Sequence, residues 1–274
     1  MLDVGMQNKP LVSFIMSVYN TKEFKDLDRS IESILNQTYE NCELIICDDC
    51  STNGVYEYLI ENYSNNPRVT IIRNIKNSGC AYSPNHALQY SNGDYIARQD
   101  DDDYSANDRI EKQMDFLLKN EDYAFVSAGL SKFDKDGVWS TYIPKEKPSK
   151  RDFRFTNQFP HAVSLFRRNC LEQINGYRVS NETRRCEDYD LFMRLYAAGF
   201  KGYNIQESLY FYNYPRDNSK KGSYKNRINE SIIRRKGFRA LNLPFFDYFF
   251  VLKPLIVGLF PEPFVNHIKG ILQR

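Results

Sequence analysis

Four aspartates stand in a row, Asp100 to Asp103, directly after the short run "DYIARQ". Carboxylates about 4 Å apart repel by roughly 4 kcal/mol at an effective dielectric near 20, so such a run asks for a counter-cation. With no His or Cys beside it, the cluster suits a hard, oxygen-preferring ion, Mg²⁺ or Mn²⁺. Such an ion keeps several waters and binds through one or two carboxylates plus substrate phosphates. A calcium loop counted from Asp100 would place Asp102 and Glu111 correctly, but it puts Ser105 where the sharp turn needs glycine, so it is rejected. Two further acidic pairs matter. Asp48 and Asp49 follow "ELIIC", and Glu187 and Asp188 open "EDYDLFMRLYAAGF". Acids at a helix start either compensate its dipole or serve as a general base, and the residues alone leave both open.

The elements that must position these groups alternate. "LVSFIMSV", "ELIICD", "RVTIIR" and "DYIARQ" predict strands, with helices near 26–37, 55–63 and 107–119 and another that Pro84 opens within its first turn. Ile110, Met114, Leu117 and Leu118 form the stripe of the 107–119 helix. The alternation predicts an α/β fold with a mostly parallel, Rossmann-like sheet covered by helices on both faces. Ligands then bind outside the carboxyl ends of the strands at a switch in strand order. Ser17, Tyr19 and Asn20, then Asp48 and Asp49, then Asp100 to Asp103 all fall at such ends. Further on, "AFVSAGLSKF" and "GVWSTYI" predict a hairpin over "DKDG", "AVSLFRR" a strand followed by a short helix ending at Asn175-Gly176, and "EDYDLFMRLYAAGF" a helix with Leu191, Leu195 and Ala198 inward. One domain is expected over 8–214, with a nucleotide-binding half to about 105 and an acceptor half beyond it.

The ordered blocks "VSFIMSVYN", "CELIICDDCST", "NSGCAYSPNHAL", "GDYIARQDDDDYSANDRIEKQ", "HAVSLFRRNCLEQINGYR" and "CEDYDLFMRL" resemble family-2 glycosyltransferases of the GT-A fold over roughly residues 10 to 200. The resemblance implies transfer of a sugar from a nucleotide diphosphate, commonly a UDP-sugar, with inversion. Ser17 and Tyr19 then lie where the family packs uracil, Asp49 where a carboxylate accepts the uracil N3–H, and Asp48 where it supports that loop. Asp100, Asp101 and Asp102 match the D-x-D, with Asp102 the first choice of metal ligand and Asp103 an alternative. Asn85 and Arg98 flank the donor, Asp188 matches the general base, and His161 and Glu187 lie on the acceptor side. Ser17 and Cys50 depart from the commoner family residues, Pro or Thr and Gly or Asn. The Q-x-x-R-W of processive synthases is missing, the single Trp being Trp139, which implies a single addition. A sugar nucleotidyltransferase is the rival of another class, and it would want a Gly-rich basic loop where "SVYNTKEF" stands. A catalytically inactive membrane scaffold is the third reading.

Composition narrows the partners. Thirty-seven bases against 35 acids give a net charge of +2, which argues against a nucleic-acid binder. Six cysteines in 274 residues do not make a disulfide scaffold. In "CDDC" the intervening acids would raise the thiol pKa, so redox chemistry is not expected there. The start does not read as a secretory signal, since Lys9 interrupts it. The expected place is the cytoplasm or the cytoplasmic face of the inner membrane. Residues 215–274 form an extension with nine bases between Arg216 and Arg239, then "PFFDYFFVLKPLIVGLFPEPF". It either lies on an anionic membrane or wraps the domain. The acceptor expected from the resemblance and this tail is a saccharide, lipid-linked, in surface polysaccharide assembly.

Overall fold

The computed structural model describes residues 9–216 and 223–259. Its sheet is nucleated by four strands whose side chains are apolar on both faces: β1 (Val12–Val18), β2 (Cys42–Asp48), β3 (Val69–Arg73) and β4 (Tyr95–Asp100). All pair in parallel in the order β3-β2-β1-β4. The return crossovers are α1 (Phe24–Leu35), α2 (Val55–Tyr63) and α3 (Tyr82–Tyr90). Alternation along β1 divides the core: Phe14, Met16 and Val18 pack with Leu27 and Ile31 of α1, while Ile15 faces the opposite layer with Phe166 and Phe192.

The next strand, β5 (Tyr104–Ser105), is short and leads into α4 (Arg109–Lys119). The expected hairpin is β6 (Phe125–Asp134) with β7 (Gly137–Tyr142). Then come β8 (Leu165–Arg167), α5 (Arg168–Gln173), α6 (Glu187–Ala197) and β9 (Gly202–Asn213). The full order is β3-β2-β1-β4-β8-β6-β9-β5, with β7 on β6. Strand β8 runs antiparallel between β4 and β6.

Two expected core positions are corrected. Leu118 in α4 is exposed, because the buried face is made by Arg109, Ile110, Gln113, Met114 and Leu117. Ala198 caps α6 and is exposed, and Phe192 and Tyr196 fill the inward face beside Leu191 and Leu195. Gly199 then takes φ 94° to end the helix.

The extension carries α7 (Tyr224–Ala240), a 3₁₀ segment (Phe245–Val251) and α8 (Lys253–Leu259). Ile233, Phe238, Leu241 and Leu243 complete the same core as Phe192 and Leu195, so the hydrophobic core runs past residue 214. Gly237 lets α7 close on α6, since a Cβ there would lie 2.2 Å from the Met193 sulfur. Arg234 is buried against Glu230 at 2.8 Å and donates to the carbonyl of Arg154 at 2.8 Å. Asp247, also buried, pairs with Arg151 at 2.9 Å and Arg154 at 3.1 Å. Part of the basic run is therefore internal, and this stretch wraps the domain. Lys220, Lys221 and the chain after Leu259 lie outside the described residues. Among the described residues no helix is long and apolar enough to cross a membrane.

Candidate active site

The register places three strand ends side by side. Ser17 lies opposite Cys47 on one flank and Asp100 on the other, and Val18 lies opposite Asp48. β1 is thus the switch point, with β2 leaving on one side and β4 on the other. Asp48 is fully buried; it accepts from the Ser51 N–H and pairs with Arg73 at 3.0 Å, which tightens the turn after β2. That turn needs a left-handed residue, and Cys50 supplies it at φ 60°. Such a conformation costs a side-chain-bearing residue about 1–2 kcal/mol, which explains why Gly or Asn is the easier choice there. Asn20, at φ 48°, accepts from the Thr52 N–H at 2.9 Å and braces the β1 turn against the β2 turn. The Ser17 hydroxyl is buried with no partner among the described residues, and Tyr19 is half exposed beside it. The Cys47 thiol is pushed up to about 12, chiefly by burial with Asp49 and Asp48 adding, so it stays protonated and inert.

Asp49 anchors the loop after β3. One carboxylate oxygen accepts from the Asn74 side chain at 2.7 Å and the Ser78 N–H at 2.8 Å, the other from the Gly79 N–H at 2.8 Å. Asp49→Asn turns one of these oxygens into an NH₂ facing donors. A charged hydrogen bond contributes about 1.5–3 kcal/mol, so the variant should bind uridine nucleotides on the order of 10–100-fold more weakly. Amide exchange at Ser78 and Gly79 should rise with it. Unchanged exchange and unchanged uridine affinity would remove Asp49 from both roles.

The four-aspartate run divides its tasks. Asp100 accepts from Arg98 at 2.7 Å, and Arg98, itself buried, is fixed by the Ile15 carbonyl at 3.0 Å. The Asp101 carboxylate accepts from the Thr21 hydroxyl. Asp103 is fully buried and accepts from the Asn213 N–H at 2.7 Å, tying β4 to β9. Asp102 is the one of the four that is exposed as a residue, and among the described residues no side chain donates to its carboxylate. Although the residue is exposed as a whole, its carboxyl is hemmed in. Desolvation first, then Asp101 and Asp100, push it up to about 7. Burial and Asp100 raise Asp101 to about 6, and burial, Asp100 and Asp102 raise Asp103 well above the usual carboxylate range. Among the described residues no three His, Cys, Asp or Glu side chains form a ready-made metal cage. An ion held by one or two carboxylates and a diphosphate does not need one. The unpartnered Asp102 and the partly exposed Asp100 fit it.

At the start of α6, Asp188 accepts from the Asn157 side chain at 2.8 Å and from the Tyr189 N–H at 2.7 Å. Burial, with Glu187 adding, pushes its carboxyl up to about 6. One Glu187 oxygen is buried without a partner among the described residues, while its carboxylate also meets the Cys80 thiol at the end of the Asp49-anchored loop. His161 lies 2.7 Å from the Tyr177 hydroxyl, and burial with the Arg98 charge holds its pKa well below the ordinary value, so it is neutral. Tyr177 joins segments far apart in the chain: Asn85 holds its backbone and its hydroxyl meets His161, and burial first, with Asp100, Glu187 and Asp188 adding, raises its phenol pKa.

Residues 13–174 match the family described as glycosyl transferase family 2. The chain belongs to that family. EpsE of Bacillus subtilis (strain 168), a glycosyltransferase by name, is 39% identical over 274 residues, covering 98% of this chain and 97% of its own. TuaG of the same organism, named for teichuronic acid biosynthesis, is 30% identical over 207 residues, 73% of this chain and 78% of its own. Among solved structures, TarS 1–349 of S. aureus with UDP-GlcNAc superposes with a TM-score of 0.66 at 16% identity, over 84% of this chain and 70% of that one. The fold of this glycosyltransferase is therefore GT-A, and the family makes it an enzyme.

Within the glycosyltransferase, the two expected donor-flanking residues also make contacts inside the chain. Asn85 clamps the backbone of Tyr177, donating to its carbonyl at 2.7 Å and accepting from its N–H at 2.8 Å. Arg98 holds Asp100 and the β1 backbone. The groups not legible in the sequence are those that orient others: Asn74 on Asp49, Asn157 on Asp188, Tyr177 on His161, and Tyr210, whose hydroxyl accepts the Asp100 N–H at 3.1 Å. Asp190, buried between Arg178 and Arg194, holds the start of α6 in place.

Proposed function

We propose that this enzyme moves one sugar from a UDP-sugar to a hydroxyl of a saccharide acceptor, with inversion and with Mn²⁺ or Mg²⁺, in surface polysaccharide assembly on a lipid-linked acceptor. The observation that carries the reading is the register that sets Asp100 beside Ser17 at the switch point, together with Asp188, a carboxylate held by Asn157 at 2.8 Å whose affinity for protons is raised. The family, the UDP-GlcNAc in the TarS structure and the teichuronic acid biosynthesis in the name of TuaG support it. Ser17, Tyr19 and Asp49 would hold the uracil, since a carboxylate accepts from the uracil N3–H but leaves the cytosine N3 acceptor unpaired. Asp102 and Asp100 would hold the ion, with Asp101 bracing the turn between them. The ion, when bound, supplies positive charge against the diphosphate leaving group. Asp188 takes the acceptor hydroxyl's proton while that oxygen attacks the anomeric carbon, and the bond to the diphosphate breaks on the opposite side. Asn157 keeps one Asp188 oxygen fixed and leaves lone pairs for the acceptor. The nucleotide half is residues 8–105 and the acceptor half 106–214, working at the cytoplasmic face of the inner membrane.

Thermal shift over a panel of nucleotide sugars, with and without Mn²⁺, tests the donor class. UDP-sugars should raise the melting temperature only with the ion, and CDP-, GDP- and dTDP-sugars should raise it less. A larger shift with GDP-sugars would overturn the donor.

A further inference from the structure

The inward side of the segment after α7 is fixed, while its outward side is apolar and bare. Asp247 is locked to Arg151 and Arg154, the Ser231 hydroxyl donates to the Val251 carbonyl at 2.6 Å, and Phe250 packs on Phe155 with ring centroids 5.1 Å apart. On the other side Phe245, Phe246 and Phe249 are 79, 74 and 68% exposed, and Ile256 and Leu259 of α8 continue the ledge. A groove of about 250 Å³ opens between Phe249 and Ile256, with Lys253 at its edge. A contiguous bare patch of this kind marks an interaction surface.

Charge says which partner. The only acids between 223 and 259 are Glu230 and Asp247, and both are paired with arginines. At about 100° per residue, Arg235 lies about 40° and Arg239 about 80° round α7 from Ser231, which faces the ledge segment. Both arginines are exposed. An aromatic and aliphatic ledge flanked by bases is the pattern that seats in the headgroup region of an anionic bilayer.

We propose that this ledge docks the enzyme on an anionic lipid bilayer, with Phe245, Phe246 and Phe249 entering the interface, a lipid chain in the groove, and Arg235 and Arg239 against the headgroups. The ledge stands on the acceptor side. The Phe155 carbonyl accepts from Lys253 at 2.8 Å, and Asn157, two residues on, holds Asp188. A lipid-carried acceptor would thus be presented where the base lies, a clause that rests on the function proposed above, whereas the docking itself does not.

Vesicle co-sedimentation of the full chain at low salt tests it, with substitutions used because deletion would remove Leu241, Leu243 and Asp247 from the core. The wild type should sediment with phosphatidylglycerol-containing vesicles and stay in solution with pure phosphatidylcholine. Phe246→Ser/Phe249→Ser should lower the bound fraction about tenfold or more with the melting temperature kept. Arg235→Glu/Arg239→Glu should do the same and weaken the salt dependence. Both should keep wild-type UDP affinity. Binding retained by both variants, which would move it to residues 260–274, overturns the proposal, as does a wild type that ignores the vesicles. So does a wild-type dimer that only the aromatic variant dissolves, because the ledge would then face a second copy. Vesicle binding as expected in a chain that binds no UDP would count against the catalytic reading alone.

Discussion

Asp188→Asn should fold, bind UDP with the wild-type affinity and turn over about 10²–10⁴-fold more slowly, the usual contribution of a general base. The amide is nearly isosteric and can still accept from Asn157, but it cannot take the acceptor's proton. The loss should therefore appear in kcat rather than in donor affinity. With the wild-type carboxyl near 6, kcat/KM should rise with pH through about 6 and fall away below it as the base becomes protonated. Stability moves the other way. The carboxyl titrates near 6 in the folded chain against an ordinary 3.8, so its contribution is intact below about pH 4 and is lost as pH rises through 6. Asp188→Asn should accordingly melt higher than the wild type at pH 8 and lose that advantage by pH 4. Glu187→Gln should cost less activity. An Asp188→Asn enzyme turning over at the wild-type rate removes Asp188 from the chemistry.

Asp102→Ala should abolish the coupling between the ion and the nucleotide. Residues that merely orient metal ligands contribute about 10–100-fold in affinity, so removing a ligand should lower Mn²⁺ affinity in the presence of UDP on the order of 100-fold, read by the loss of free-Mn²⁺ uptake in EPR titrations. The buried neighbour is the contrast. Asp103 faces the Asn213 N–H, and its raised pKa favours the protonated form. Asp103→Asn should therefore leave the Mn²⁺ titration unchanged. Equal losses in the two variants would mean that the run acts as a structural unit instead of offering one ligand outward.

The parts of the molecule visible in the sequence were those with a period or an abrupt change of polarity. β2 and β4 end where an apolar run meets aspartates, β1 ends where one meets Tyr19 and Asn20, and the register sets these three ends side by side. β9 was not visible, because Gln206, Glu207 and Ser208 interrupt its apolar alternation where its register with β6 shifts at Gly129. Leu118 and Ala198 misled because the last turn of a helix frees side chains that the helical period still counts inward. The extension could be read either as membrane-lying or as wrapping the domain, since a run of bases gives no sign that Arg234 and Asp247 are buried and paired. The orienting groups were beyond reach for a different reason. Asn74 meets Asp49 across 25 residues and Asn157 meets Asp188 across 31, and an isolated Asn carries no periodic signal. Asn85 and Arg98 stood in the right blocks, and the structure adds what the sequence could not show, that their side chains also hold the Tyr177 backbone and Asp100.

Calorimetry of UDP on the full chain, with Mn²⁺ and then with chelator, tests most directly whether the crevice at the ends of β1, β2 and β4 is a metal-assisted uridine diphosphate site. The account predicts binding with Mn²⁺, little or none with chelator, and CDP weaker than UDP by on the order of tenfold or more, the cost of leaving the base's N3 unpaired against Asp49. Equal UDP affinity with chelator present, or equal affinity for UDP and CDP, would contradict it.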